Sequence, residues 1–574
     1  MIASTRVIPT TAPATSVSFT VLSNGNDLGP ALPVLSIVID REINRIPTAT
    51  LILQDGSLAD QTFPLSESGQ FDPGTEIEIS LGYQGTNESV FKGIVTGQRI
   101  QLNGGKTLLV INCKDAAFKM TINRASRFFE EQSDADAWNS LINEAGLEAD
   151  VSGATEITPD LAQHLSTDWD FIISRVEAKG LVASVEDGKI TIKKPELATT
   201  PSLKLEYGAN LIDFEAEIDA RYQFNEVKSY AWRAPEDETV DETNPPSAPG
   251  FSTEYPTDQL AEVHGQQPYK QVQGGGVQVQ ELIDWSAATA RFSSLSRLRG
   301  TASFQGSSVL QVGDTIELDK LGAVYNGPAY VSGLRHELSA GRWTTTVQLG
   351  LQPERFTERY AVNAPPAGGL LPATSGLHIG TVVQMHDDPA GEERIQITLP
   401  ATAPEGAGNW ARLATGLAGN EAGLTFRPAV GDEVVVGFLH DDPRFPIILG
   451  CLHASGRPAP YPPTEDNDQT GYQSRGGHQL LFNDTEESIL LENPSGDKLE
   501  LLGKDGTIKL EDQNGNKIEM TSSGILIETQ GDLELKATGS IKVDGTQVEI
   551  NSSATGKFEA GATLTLKGAM VQIN

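Results

Sequence analysis

From about Leu480 to Asn574 the sequence repeats one small unit: an apolar residue, a usually polar one, another apolar residue, then a turn. The apolar pairs are Ile489/Leu491, Leu499/Leu501, Ile508/Leu510, Ile518/Met520, Ile525/Ile527, Leu533/Leu535, Ile541/Val543, Val548/Ile550, Phe558/Ala560, Leu564/Leu566 and Val571/Ile573. Ten steps lead from Ile489 to Val571, a mean period of about eight, which is the mark of a repeat architecture. Alternation with period two sets both members of a pair on one face of a short strand. The residue between them faces the other way and is often charged: Glu500, Lys509, Glu519, Glu534, Lys542, Glu549. Gly, Asn, Asp and Ser fill the corners, as in Pro494-Ser-Gly-Asp and Gln513-Asn-Gly-Asn, where positive φ is cheap.

Strands this short cannot build a core alone. In a single-chain solenoid, steps that wander between six and ten residues would stack badly. Three identical chains wound round one axis avoid the difficulty, because each irregular step meets two copies of itself at the same height. Eleven pairs would then turn inward, about 45 kcal/mol of gross burial per chain at ~2 kcal/mol per side chain. A flat antiparallel meander would instead expose long edges and invite aggregation. The expectation is an intertwined trimeric β-helix, a stiff prism suited to mechanics rather than chemistry.

At 574 residues the chain has room for three or four domains. Its net charge of −35 becomes about −105 in a trimer, which argues against binding DNA, RNA or anionic membranes through the bulk surface. Cys113 and Cys451 lie in apolar runs and read as small buried hydrophobes without a disulfide framework. Met1 to Ser16 has no secretory pattern, and no stretch approaches eighteen apolar residues. Synthesis in the bacterial cytoplasm without a signal peptide is expected.

Residues 17–113 read as strands separated by Gly- and Asn-rich turns. Gly104-Gly-Lys-Thr107 imitates part of a phosphate-binding loop, but Ile100 stands where that loop needs a glycine, so a hairpin turn is expected. Around residue 133 the period becomes helical. Ser133 and Asp136 form a capping box ahead of Trp138, Leu141, Ile142 and Ala145, closed by Gly146. Thr167 and Asp170 repeat the design ahead of Trp169, Ile172, Ile173 and Val176, closed by Gly180. Both tryptophans belong to helical stripes, hence to a core rather than a base-stacking platform. A hairpin turning at Asp187-Gly188 follows. Residues 234–277 are acidic and then Pro- and Gly-rich, and read as a mobile excursion. A helix from about Glu281 to Arg299 leads back into strands. The first half is thus two barrels with a helical insertion.

The run from Ser166-Thr-Asp-Trp-Asp-Phe to Lys179-Gly-Leu, with Gly313-Asp and Tyr330-Val-Ser-Gly-Leu-Arg-His336, resembles phage late-control D and tail-hub proteins. Gly380-Thr-Val-Val, Arg394-Ile-Gln-Ile-Thr-Leu-Pro400, Trp410-Ala-Arg-Leu, Pro428-Ala-Val-Gly-Asp-Glu-Val-Val-Val and Asp442-Pro-Arg-Phe-Pro-Ile-Ile-Leu-Gly450 resemble the VgrG spike family. The resemblance implies a mainly β chain, laid out as follows: an N-terminal arm 1–16, hub barrel 17–120, helical insertion with hairpin 121–199, hub barrel 200–362 carrying the excursion, and linker 363–376. An OB-fold domain 377–455, a connecting loop 456–479 and a β-helical needle 480–574 complete it. The function it implies is the homotrimeric, non-enzymatic central spike of a phage-tail-like contractile injection system. Such a spike would meet an inner tube protein, baseplate proteins, effector cargo and, transiently, a target membrane, as part of an assembled particle. Some relatives carry a lysozyme domain before the needle or a toxin after it, and neither is expected here.

The most enzyme-like feature is a duplicated triplet, His386-Asp387-Asp388 and His440-Asp441-Asp442. Two His and four carboxylates suit metal ligation and water activation. Each triplet precedes a Pro between two strands, however, where Asp-Asp-Pro is ordinary turn chemistry. The expectation is therefore no catalytic residue, metal or cofactor. A metal-dependent cell-envelope hydrolase and a receptor-binding tail fibre are the alternatives. Finally, no His follows His478 in the sequence, so a needle apex closed by an iron-bound His-x-His pair, as in some phage spikes, is not expected. An apolar ring near Val571 and Ile573 then needs a cover. The family's small conical PAAR-type tip protein is expected on Leu564, Leu566, Val571, Ile573 and Asn574.

Overall fold

Alternating β-branched runs between Val17 and Leu349 build one thirteen-stranded sheet. The computed structural model describes residues 16–573, apart from 58–59, 104–105, 234–237, 245–254, 266–267, 403–405 and 407. The arm expected at 1–16 lies, but for Ser16, outside the described residues, as does Asn574. The chain divides into two units, 1–369 and 370–574.

In the first unit the sheet consists of two six-stranded circuits and the two-residue strand Asn26–Asp27, which pairs with Val17–Ser23. One runs Val17–Ser23, Glu76–Tyr83, Thr86–Asn103, Lys106–Lys114, Thr48–Gln54, Val34–Glu42 in space. The other runs Leu203–Glu206, Thr315–Asp319, Gly327–Ser339, Arg342–Leu349, Leu298–Gln305, Leu211–Ile218. Numbered along the chain, both follow the order first, fourth, fifth, sixth, third, second. They differ in the first strand, which pairs antiparallel with the fourth in one and parallel in the other. Neither circuit closes on itself. Val34–Glu42 instead pairs antiparallel with Gly327–Ser339, so the two barrels expected from the sequence are fused edge to edge. Each keeps its own core, around Ile37, Leu51, Ile79 and Ile111 in one and Leu205, Phe304, Ile316 and Val347 in the other. Asn103 pairs with Lys106, while Gly104 and Gly105 of the loop imitation, expected as a hairpin turn, lie outside the described residues.

The insertion follows its caps. Ser133 Oγ accepts from Asp136 N, and the Asp136 carboxylate accepts from Ser133 N, at the head of helix Asp134–Glu144. Thr167 caps helix Asp168–Ala178 by one half of that arrangement, its Oγ1 accepting from Asp170 N. Trp138 and Trp169 are buried with Ile142, Ile172 and Val176. Arg175 joins the helices, reaching the buried Asp134 at 2.8 Å and Glu281 of a third helix at 2.6 Å.

Two expectations need correction. The excursion 234–277 contributes to a sheet: Val227–Arg233 pairs with Glu238–Asn244 on one edge and Tyr269–Gln273 on the other. Helix Val279–Leu295 packs on this sheet, with Val227 and Ala231 buried, so acidic composition misled there. That helix also ends at Leu295, because Arg299 already belongs to strand Leu298–Gln305.

In the second unit, His378–Gln384, Ile395–Thr398, Asn409–Leu413, Pro446–Cys451 and Glu433–Phe438 form a closed barrel in that order. Val382, Ile395, Ile397, Ala411, Val434, Val436 and Ile448 fill it. The remaining sheet is a seven-stranded antiparallel meander from Gln469 to Glu528, beginning inside the stretch expected to be a connecting loop.

Candidate functional site

The meander has two unlike faces. Its strands are Gln469–Gln473, Gln479–Asn483, Ser488–Glu492, Lys498–Leu502, Thr507–Glu511, Lys517–Thr521 and Gly524–Glu528. Their registers align the apolar pairs into two columns. Leu480, Leu491, Leu499, Leu510, Ile518 and Ile527 form one; Phe482, Ile489, Leu501, Ile508, Met520 and Ile525 form the other. Nearly all of these side chains are exposed, up to 68% at Ile525. A continuous apolar surface of this size is rare on a protein that stays single.

The other face is polar and paired. Lys498 reaches Glu500 at 3.3 Å, Lys509 reaches Glu511 at 2.5 Å, and Lys517 reaches Glu528 at 3.2 Å. The Lys509 contact raises the lysine pKa and lowers that of Glu511. Glu500, Lys509 and Glu519 stand opposite one another across strands, alternating in sign. Opposite faces for the apolar pairs and for Glu500, Lys509 and Glu519 between them agree with the sequence expectation, whereas Glu534, Lys542 and Glu549 lie beyond the last strand.

Turn chemistry fixes the registers. Asn493 Oδ1 accepts from Ser495 N and Asp497 N, and Asp512 Oδ1 does the same for Asn514 N and Asn516 N. Asp497 Oδ1 in turn accepts from Gln513 N, tying one corner to the next. Such four- and five-residue corners return the strand beside its predecessor. Up to Glu528, therefore, the ladder partner of each strand is its own chain neighbour rather than a strand of another chain. From 529 to 573 the described residues form no strand, and Ile541, Val543, Val548, Ile550, Leu533, Leu535, Leu564, Leu566, Val571 and Ile573 are exposed, the last at 86%. Sequence reading omitted Leu480 and Phe482 from the apolar set, although the same apolar-x-apolar signal marks them.

Both His-Asp-Asp triplets sit in turns. The Asp388 carboxylate accepts from Ala390 N, Glu392 N and Arg394 N, and from Arg394 Nη2 at 2.7 Å. The Arg394 bond holds its pKa far below the usual carboxylate range. Asp442 accepts from Arg444 N and, at 2.7 Å, from Arg444 Nη2, with the same downward effect. His386 bonds to its neighbour Asp387 at 2.7 Å in solvent, and His440 and Asp441 take positive φ. Among the described residues no three His, Cys, Asp or Glu converge as a metal site, so the triplets are not brought together into one. Cys113 is buried, its pKa pushed up to about 12 by desolvation, whereas Cys451 is exposed, contrary to expectation. Cys451 is the last residue of its barrel strand and lies outside the barrel core. Among the described residues no helix is long and apolar enough to cross a membrane.

Residues 13–340, more than half of the chain, match the family model of the Alg8 N-terminal domain. Residues 378–453 match the type VI secretion system/phage-baseplate injector OB domain, and 499–556 the phage baseplate V C-terminal trimerisation domain. The chain belongs to the family of the Alg8 N-terminal domain and is a VgrG-like hub-spike protein. Its relatives include the type VI secretion system spike protein VgrG3 of Vibrio cholerae, 26% identical over 424 residues, which cover 65% of this chain and 39% of that protein. The actin cross-linking toxin VgrG1 of the same species is 30% identical over 203 residues, 32% of this chain and 18% of the toxin. This VgrG-like chain thus matches less than half the length of either relative. Among solved structures, the Escherichia coli c3393 protein, a component of the type VI secretion system, aligns at a TM-score of 0.37 and 12% identity, covering 75% of this chain and 99% of that one.

Proposed function

We propose that three copies of this chain form the non-enzymatic central spike of a contractile injection system, joining a hexameric inner tube to a rigid needle. The observation that carries the reading is the meander's unpaired apolar face, which overlaps the segment resembling a trimerisation domain. Three such faces turned to one axis bury both columns and leave the ion-paired faces in water. The strands already pair within each chain, so the long edges that argued against a flat meander remain only at its two outermost strands, Gln469–Gln473 and Gly524–Glu528. Beyond Glu528, the same alternation without an intrachain ladder suits strands completed by the other two chains. The two matching circuits support the adaptor role, since three chains offer six alike positions to a six-fold tube.

The exposed Leu564, Leu566, Val571 and Ile573, together with Asn574 outside the described residues, would seat a PAAR-type tip protein. Effector cargo, baseplate contacts and transient passage through a target membrane follow from the same role. The test is a pull-down of co-expressed tip protein by full-length trimers and by trimers lacking residues 564–574. Retention by the former alone is expected. Retention by both, or by neither, contradicts the assignment.

A further inference from the structure

The thirteen-stranded sheet turns one face to its two cores, and a groove of about 540 Å³ lies on the other. Alternation decides what lines it. In Val34–Glu42 the buried Ile37 and Ile39 face a core, so Asp40 and Glu42 face the groove. In Leu211–Ile218 the half-buried Phe214 and Ala216 pack on the other core, so Glu215 and Glu217 face the groove. These two strands are its walls, and Gly327–Ser339, Arg342–Leu349 and Leu298–Gln305 form the floor between them. The walls stand four inter-strand steps apart, ~19 Å measured along the sheet.

The pairing registers set the lining out in cross-strand rows. One row reads Glu42, Gly333, Gln348, Thr301, Glu215, and the next begins Asp40, Arg335, Thr346. The arginines of the lining are already committed. Arg335 meets Asp40 at 3.5 Å and Glu337 at 3.9 Å, and Arg299 meets Glu217 at 3.0 Å and Asp219 at 2.7 Å. Arg41, on the core side by alternation, reaches Glu186 at 2.9 Å. The first row therefore ends in a carboxylate at each wall, with only glycine, amide and hydroxyl between. Glu42 meets the exposed Arg45 at 3.5 Å, and Arg299 turns to Glu217 and Asp219 rather than to Glu215. Gly333 keeps the middle of the row open, since a Cβ there would stand 2.9 Å from Gln348 Oε1. A concave site walled by one sign of charge draws the opposite sign into it.

We propose that this groove takes an extended polypeptide segment bearing two adjacent basic residues, one turned to Glu42 and the other to Glu215. An extended chain sends successive side chains to opposite sides. Laid along the strands midway between the walls, it stands ~10 Å from each, the spacing at which side chains of facing sheets meet. A Lys or Arg pair at neighbouring positions then serves both ends of the row, whereas a pair spaced by one residue serves a single wall. Thr301, Thr346 and Gln348 on the floor offer hydroxyl and amide groups to the segment's backbone. That the segment belongs to cargo carried by the spike rests on the functional reading above; the chemistry of the groove lies within one chain and does not.

The full chain is titrated into two dye-labelled octapeptides of one composition, Ser-Thr-Ser-Lys-Lys-Ser-Thr-Ser and Ser-Thr-Lys-Ser-Lys-Thr-Ser-Ser, and binding is read by fluorescence anisotropy. Glu42→Gln plus Glu215→Gln removes the charge from both ends of the row. Glu421→Gln plus Glu465→Gln, at exposed positions of the second unit, makes the same change of net charge elsewhere. The parent should bind the adjacent-lysine peptide more tightly than the spaced one. The groove variant should lose about tenfold in affinity, for two charge pairs, and the control variant should keep the parent's. Melting curves check that both fold, and Glu215→Gln alone, losing about threefold, carries the test if the double variant melts early. Equal weakening by the two double variants, no preference for adjacent lysines, or no binding overturns the groove assignment. Light scattering separates the two readings: a monomer that binds as expected overturns the spike and leaves the groove, and a trimer that does not bind overturns the groove alone.

Discussion

Replacing Leu510 by Asp tests the apolar face where its register is best fixed. Leu510 stands between Leu499 and Ile518 in one column, and three copies of it would meet at one height of the prism. Losing the leucine forfeits ~2 kcal/mol of transfer energy per chain. Desolvating an unpaired carboxylate costs several kcal/mol more, so the trimer should lose on the order of 15 kcal/mol. Lys509→Gln, one residue away on the opposite face, removes a surface pair worth ~0.5 kcal/mol. Size-exclusion chromatography with light scattering and thermal melting read both. Leu510→Asp should dissociate the trimer or lower its melting point by tens of degrees, and Lys509→Gln should leave it within a few degrees. Equal effects, or a larger effect of Lys509→Gln, would refute the assignment of faces.

In the stretch beyond the meander, Ile541→Asp should abolish detergent resistance of the trimer while Lys542→Asp leaves it, as read on unheated gels. Asp388→Asn should lower the melting temperature of the barrel domain at neutral pH. Because the Arg394 bond depresses the Asp388 pKa, its stabilisation is present above the ordinary carboxylate value near 4 and fades as pH falls below it; melting of variant and parent should converge in acid. Arg175→Ala leaves buried Asp134 with only Lys179, at 3.9 Å, and the Thr158 hydroxyl, and should cost ~3 kcal/mol by urea unfolding of the first unit. A maleimide should label Cys451 in the native protein and Cys113 only after unfolding, as counted by mass spectrometry.

How far the sequence revealed the molecule depended on whether the signal was local. Helix caps at Ser133 and Thr167 act within a few residues and mark their elements correctly, as do the apolar-x-apolar pairs up to Ile525/Ile527, whereas the six later pairs form no strand among the described residues. The start of the meander at Gln469 was hidden because Gln469-Thr-Gly-Tyr-Gln carries little apolar signal and is held by pairing to Gln479–Asn483. Strands flanking the acidic excursion were hidden for a similar reason: the helix Val279–Leu295 buries Val227 and Ala231, and composition alone does not reveal that cover. Cys451 sits in an apolar run yet points out of its barrel, since a short barrel strand alternates faces whatever its average hydropathy. Two hub barrels were legible from the strand runs, but not the pairing order that the two circuits share. Their likeness lies in two bulges and that order, which become visible once Val95 and Val331 are placed in their strands.

The central claim is that this chain works as three. Native mass spectrometry of the purified full-length protein tests it most directly, since one chain weighs 61.3 kDa and three weigh about 184 kDa. A dominant species near 184 kDa that survives dilution to nanomolar concentration is the expected result. A folded species at 61.3 kDa under the same conditions, with the meander's apolar face left in water, would contradict the account.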